Sequence, residues 1–135
     1  DADGGALSKM LPIFKIGLGG PIGEGNQWMS WIHRSDLCQI ISDAIINKKY
    51  KGVYNAVSPD PVKMKTFAKE LAKCLNRPNI FPVPSYVLKQ LVGEGAKIVL
   101  EGQKVKSINL KKNIYEFKYP LLKNALFAAT KKKYR

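Results

Sequence analysis

A glycine-rich loop between an apolar-periodic segment and a tryptophan-bearing stretch constrains this chain more than any other feature. Gly17, Gly19, Gly20, Gly23 and Gly25 are too closely spaced for a helix to persist through them, so the segments on either side must meet across a loop. The stretch that follows, Gln27-Trp28-Met29-Ser30-Trp31-Ile32-His33-Arg34-Ser35-Asp36-Leu37, gathers both tryptophans and the single histidine of the chain. That order predicts a loop, a short strand and then a helix.

A glycine loop invites comparison with a dinucleotide fingerprint, which needs Gly-x-Gly-x-x-Gly between a strand and a helix. This one fails. Counted from Gly17, the third glycine position is Ile22, and the loop follows a helix and feeds a strand. Before it, Leu7, Met10, Leu11 and Phe14 recur at helical spacing, predicting a helix over 4–16 that is kinked or broken near Pro12.

Trp28 to His33 alternates as a strand does, with Gln27, Met29 and Trp31 facing one way and Trp28, Ser30 and Ile32 the other. Ser35 offers a hydroxyl N-cap, Asp36 suits the first turn of the helix, and Leu37, Ile40, Ile41, Ala44 and Ile45 predict its buried stripe. Gly52 to Val57 reads as a buried strand ended by Ser58-Pro59-Asp60-Pro61. A second amphipathic helix is expected over 66–76. A short strand over 80–83, helices over 85–92 and 96–100, and a strand over 114–119 follow. Pro120 opens a last helix with Leu122, Ala125, Leu126 and Ala129 on one side, before a frayed lysine tail. Helices alternating with short strands favour α/β or α+β.

The 135 residues are 45% hydrophobic, enough for one core, while 23 Lys plus Arg against 10 Asp plus Glu give a net charge of +13. Such a balance attracts polyanions. The lysines are scattered, however, and no RNA-binding aromatic signature or DNA-reading motif accompanies them, so a solvated surface is favoured over a specific nucleic-acid face. No apolar run approaches the roughly 18 residues of a bilayer span, and no signal peptide is visible. Cys38 and Cys74 form no CxxC and lack metal-ligand company, which favours buried free thiols in a reducing intracellular compartment over a disulfide. Asp1 in place of Met suggests a chain that begins partway through a longer protein, with a processed precursor as the other reading.

Several constellations have a chemical and a plainer reading. His33 and Asp36 could be an acid/base pair, but a triad also needs a nucleophile and an oxyanion site, and a structural hydrogen bond plus a helix start explains both. Gln27, Trp28, Ser30 and Trp31 could line a pocket, the indoles offering flat apolar faces and Gln and Ser directional hydrogen bonds. Tyr119 and Lys123 have the bare Tyr-x-x-x-Lys spacing of short-chain dehydrogenases. Pro120 intervenes at a helix start and makes chance the better account. One histidine and two distant cysteines do not make a zinc site.

The ordered set Gly4-Gly5-Ala6-Leu7, Lys9-Met10-Leu11-Pro12, Gly17-Leu18-Gly19-Gly20-Pro21, Gln27-Trp28, Ser30-Trp31-Ile32-His33 and Asp36-Leu37 closely resembles the C-terminal half of the epimerase-like extended short-chain dehydrogenase/reductase family. This is the family often labelled nucleoside-diphosphate-sugar epimerase or cell-division-inhibitor-like. Gly52 to Pro59, Pro82-Val83-Pro84, Leu91 to Glu94, Leu100 to Val105 and Phe117 to Pro120 continue the resemblance, and the Glu-Gly-Gln-Lys run is most like plastid and cyanobacterial members.

The resemblance implies an α/β fold: the C-terminal part of an extended Rossmann-type protein, 1–80 on the substrate side, with a small mostly helical C-terminal domain over 81–130 and a basic tail over 131–135. It implies NADP(H) as cofactor of the full-length parent, gripped by an N-terminal half whose fingerprint and catalytic Tyr/Lys region would precede Asp1. No cofactor-binding, catalytic or metal residue is therefore assigned to this chain. Lys9, Gln27, Trp28, Ser30, Trp31 and His33 are the candidates for the substrate side, with a nucleotide-sugar as possible ligand and the missing Rossmann half as partner. The expected function is the substrate-side portion of an NADP(H)-dependent epimerase or reductase-like protein, not competent alone. The alternative is a non-catalytic subunit that docks a larger assembly through its basic surface.

Overall fold

The structure, a computed structural model, describes residues 1–80, 82–84, 86, 101–111 and 115–131. The elements in order are helix α1 (Gly5–Lys15), strand β1 (Trp28–Met29), helix α2 (Arg34–Ile46), strand β2 (Val62–Lys63), helix α3 (Met64–Cys74), the single turn α4 (Ile108–Lys111) and helix α5 (Leu122–Lys131). The helices expected over 85–92 and 96–100 fall almost wholly outside the described residues.

The core joins Leu7, Met10, Leu11 and Phe14 of α1 to Ile22, to Met64, Phe67, Ala68, Leu71 and Ala72 of α3, to Val83, and to Leu122, Leu126 and Ala129 of α5. Each of these sets repeats at three- and four-residue intervals along its helix, which is why the periodicity located α1, α3 and α5. Close packing of the glycine loop fixes its path. A β-carbon on Gly19 would lie 2.3 Å from the Phe14 ring, so only a residue without a side chain lets the loop lie on that ring. The loop's carbonyls then serve α3: Gly25 O accepts from Lys65 N and Gln27 O from Met64 N, each at 2.9 Å, satisfying amides at the helix start.

Several expectations are corrected. α1 runs unbroken through Pro12, whose ring is exposed, so the Ser8 carbonyl left without its usual amide donor lies on the solvent side of the helix. The N-cap of α2 is His33 rather than Ser35: its Nδ1 accepts from Ser35 N at 3.2 Å. The strand expected over 28–33 shortens to Trp28–Met29, antiparallel to Val62–Lys63, because Trp31 O is taken by Ser58 N and the ladder stops there. Near 80–83 one parallel bridge, Ile22 with Val83, stands in place of a strand.

Residues 115–119 are not a strand either, since the amides of Lys118 and Tyr119 bond to the Asp36 carboxylate instead of to a neighbouring strand. Gly52 to Val57 is not a strand, having no ladder partner among the described residues. On α2, Ile40 is buried and Leu37 half-buried, but Ile41, Ala44 and Ile45 are exposed: the helix is apolar on more than one side and one side has nothing described against it. Cys38 is accordingly an exposed thiol and Cys74 a half-buried one; both are free.

Candidate functional site

β1 presents alternate side chains to opposite sides, as the sequence alternation requires. Met29 and Trp31 pack against the core, while Trp28 and Ser30 face a strap formed by residues 102–107. The strap can come this close because of Gly102. It adopts φ +65°, and a β-carbon there would lie 2.5 Å from Trp28 O and 2.9 Å from both Trp28 N and Gln27 Cβ. Ser30 then clasps the strap, its Oγ donating to Gln103 O at 2.6 Å and accepting from Val105 N at 2.9 Å.

Clasped in this register, the strap sets Lys104 Nζ 3.9 Å from the centroid of the Trp28 ring, with Lys63 Nζ at 5.7 Å. Cation–π contacts of this kind contribute about 0.5–1 kcal/mol where solvent reaches them. Beside the indole lies a cleft of about 260 Å³ lined by Trp28, Asp60, Lys104, Lys106, Ser107 and Ile108 among others. Ser107 is 2% exposed, and its Oγ has no hydrogen-bond partner among the described residues. Two ammonium groups, a hydroxyl and an aromatic face suit an anionic ligand with a flat or apolar portion.

Trp31, Gln27, Lys9 and His33 do not line this cleft. Trp31 stands behind, its Nε1 donating to Asp60 O at 2.8 Å, so it anchors the loop that carries Asp60. Gln27 turns away, its Nε2 donating to Ile22 O at 3.1 Å. Lys9 is exposed on α1. His33 belongs to a different cluster, buried with its ring centroid 4.1 Å from that of Tyr119 and its Nδ1 2.7 Å from Ser35 Oγ.

Asp36 organises that second cluster. Fully buried, it accepts Tyr115 OH and Lys118 N on Oδ1, both at 2.8 Å, and Tyr119 N on Oδ2 at 3.1 Å. Burial, then the hydrogen bond to Asp36 and its charge, push the Tyr115 hydroxyl well above the usual phenol range. The geometry is that of a lock joining α2 to the approach to α5. Tyr119 lies ahead of Leu122, the first residue of α5, so it does not share a helix with Lys123.

Lys104, Lys106, Ser107 and Asp60 were not singled out from the sequence. A signal existed in the alternation Lys104-Val105-Lys106, the mark of an extended segment with its lysines on one side. Among the described residues no group of three or more His, Cys, Asp or Glu could hold a metal ion, and no helix is long and apolar enough to cross a membrane.

The fold is that of the C-terminal part of an epimerase-like, extended Rossmann-type short-chain dehydrogenase/reductase. Residues 83–129 match the family described as Domain of unknown function (DUF1731). More particularly, the chain corresponds to the C-terminal part of epimerase family proteins of the SDR39U1 kind. It is 49% identical over 126 residues to the Epimerase family protein SDR39U1 homolog, chloroplastic, of Arabidopsis thaliana, covering 93% of this chain and 36% of that protein. It is 43% identical to Epimerase family protein SDR39U1 of Mus musculus, covering 91% and 42%.

The crystal structure of human epimerase family protein SDR39U1 (isoform 2) with NADPH has a TM-score of 0.84 at 37% identity, covering 95% of this chain and 44% of that one. A nucleoside-diphosphate sugar epimerase from Corynebacterium glutamicum gives 0.62 at 28% identity, covering 87% and 22%. The chain thus spans less than half the length of each of these relatives.

Proposed function

We propose that this chain is the substrate-side part of an NADP(H)-dependent epimerase or reductase-like protein, that the cleft beside Trp28 receives the anionic portion of a nucleotide-sugar, and that the chain does not complete the reaction alone. The observation that carries this reading is the likeness to the NADPH-bound human protein, of which the chain corresponds to 44%. The described residues do not fit the cofactor itself. A dinucleotide pyrophosphate needs a glycine turn opening onto the free N-terminus of a helix. Here the glycine loop leads from α1 to β1, and the start of α2 is closed by His33 as cap and by the buried Asp36 carboxylate. NADP(H) is therefore assigned to the part of the protein that the relatives carry outside the matched region, and no hydride step is derived from this chain.

What the chain's own residues do is bind and orient. Lys104 and Lys106 supply charge, Ser107 a directional hydroxyl, and Trp28 a wall held in place by the Ser30 clasp. The chloroplastic Arabidopsis relative supports a plastid location, which a fluorescent fusion would test.

The test of the functional reading is a pair of titrations. The 135-residue chain should show no saturable NADPH binding, while UDP-glucose, used as a probe, should shift Trp28 fluorescence in a Trp31→Phe background. Lys104→Ala should weaken that response at least tenfold. Stoichiometric NADPH retention with unaided turnover, or a probe response indifferent to Lys104, would sink the reading.

A further inference from the structure

The outward side of α5 carries an aromatic ring among lysines, with a hollow on either flank of it. Leu122, Ala125, Leu126 and Ala129 turn into the core, so Phe127 is set on the opposite side and is 49% exposed. Lys123 and Lys131 lie one helical turn before and after it, and Lys131 Nζ stands 4.1 Å from the ring centroid. Toward α3 the ring walls a hollow of about 470 Å³, shared with Lys73, Cys74 and Lys123. On its other flank it walls one of about 600 Å³, shared with Lys118, Asn124 and Ala128. Neither hollow shares a lining residue with the cleft beside Trp28.

Charge at this surface is unbalanced. The carboxylate that lines it, Glu70, is already held by Lys73 at 2.9 Å, which leaves Lys118, Lys123 and Lys131 without an ion pair among the described residues. The cations also converge on one place: burial and then Glu70 push the Cys74 thiol up, while Lys123, Lys131 and Lys73 oppose them. A merely solvated lysine face needs neither an exposed phenyl ring nor concave walls at its centre. Here the lysine stems and Phe127 make the walls apolar, and the ammonium groups make the rim cationic.

We infer that this surface docks an acidic amphipathic helix of a protein partner, whose apolar side chains enter the hollows on the two flanks of Phe127 while its carboxylates meet Lys118, Lys123 and Lys131. Charge complementarity selects that occupant. A second copy of this chain would bring a net charge of +13 against the same sign. A phosphate backbone would meet the lysines without filling the hollows, and a bilayer presents a plane to a surface that is concave. Apolar residues one turn apart on a helix are about 6 Å from each other, which lets them straddle a single ring in the helix-in-groove mode of recognition.

The probe is a fluorescein-labelled peptide rich in glutamate with two leucines four residues apart, and its control has glutamine in place of both leucines. Anisotropy titration of the 135-residue chain at about 150 mM salt, where exposed charges are screened beyond about 8 Å, should give at least tenfold tighter binding of the leucine peptide. Phe127→Gln should remove that advantage, and the double variant Lys123→Gln, Lys131→Gln should weaken binding at least tenfold. All three sites are exposed, so both variants should keep the melting curve of the natural chain. The native thiols locate the complex without any substitution: saturating peptide should slow maleimide labelling of Cys74 at least threefold and leave Cys38, outside both hollows, unchanged. Equal affinity for the two peptides overturns the inference, as does undiminished binding by either variant or labelling of Cys74 at its free rate. Binding to vesicles of phosphatidylglycerol and phosphatidylcholine that requires Phe127, with the peptide left unbound, overturns it in favour of a lipid surface.

Discussion

The Asp36 carboxylate and the Tyr115 hydroxyl, 79 residues apart in sequence, meet at 2.8 Å beneath the start of α2. With Lys118 N and Tyr119 N on the same carboxylate, the C-terminal segment is fastened by one buried anion. Asp36→Ala should therefore destabilise the chain by about 3 kcal/mol, because two backbone amides and the phenol lose the buried carboxylate that accepts from them. Urea denaturation measures it, and a loss below about 1 kcal/mol would show that the lock is not tight.

The same pair sets a pH dependence. The Tyr115 hydroxyl has a raised pKa in the folded chain, so its stabilising contribution is fully present below the unfolded phenol value of about 10 and is lost as pH rises beyond it. Stability should fall more steeply above pH 10 in the natural chain than in Tyr115→Phe. Thermal melts from pH 8 to 11 would show the two profiles converging at the alkaline end.

Gly102→Ala should lift the strap from β1. The added carbon would sit 2.5 Å from Trp28 O at a backbone angle that alanine rarely adopts, a cost on the order of 2 kcal/mol. Indole fluorescence in a Trp31→Phe background should change as Lys104 leaves the Trp28 ring; unchanged emission would contradict the geometry.

Ser30→Ala removes both halves of the clasp and leaves Gln103 O and Val105 N to find water, costing about 1–2 kcal/mol. Ser30→Thr retains the hydroxyl and should recover most of that stability. If alanine and threonine behave alike, the hydroxyl is not what holds the strap.

Gly19→Ala should be worse than an ordinary loop substitution, since its β-carbon would fall within 2.3 Å of the buried Phe14 ring and force ring or loop to move. A loss of about 1–3 kcal/mol is expected by chemical denaturation, and a neutral result would mean that the loop does not lie on Phe14.

Local patterning made the helices legible and left the long-range ties hidden. Leu7, Met10, Leu11 and Phe14, or Phe67, Leu71 and Ala72, announce a buried face because their spacing matches the helix period. The stripe on α2 misled for an informative reason: Ile41 and Ile45 have the right spacing, but their side has no described cover, and periodicity cannot say what lies opposite. Ser30 and Trp28 were noticed in sequence, whereas the partners that give them meaning, Gln103, Lys104 and Val105, are more than 70 residues away. Asp36 read as a helix-start residue. Its larger role depends on Tyr115 to Tyr119, which no local rule connects to it.

The Asp36 lock bears on how the chain is made. A nascent chain that has not yet released Tyr115 to Tyr119 from the ribosome has no groups to satisfy that anion, and keeping it in a dry interior would then carry the penalty of an uncompensated charge. The first turn of α2 should thus stay hydrated until Tyr115 to Tyr119 emerge, so that translation itself postpones closure of this side of the molecule.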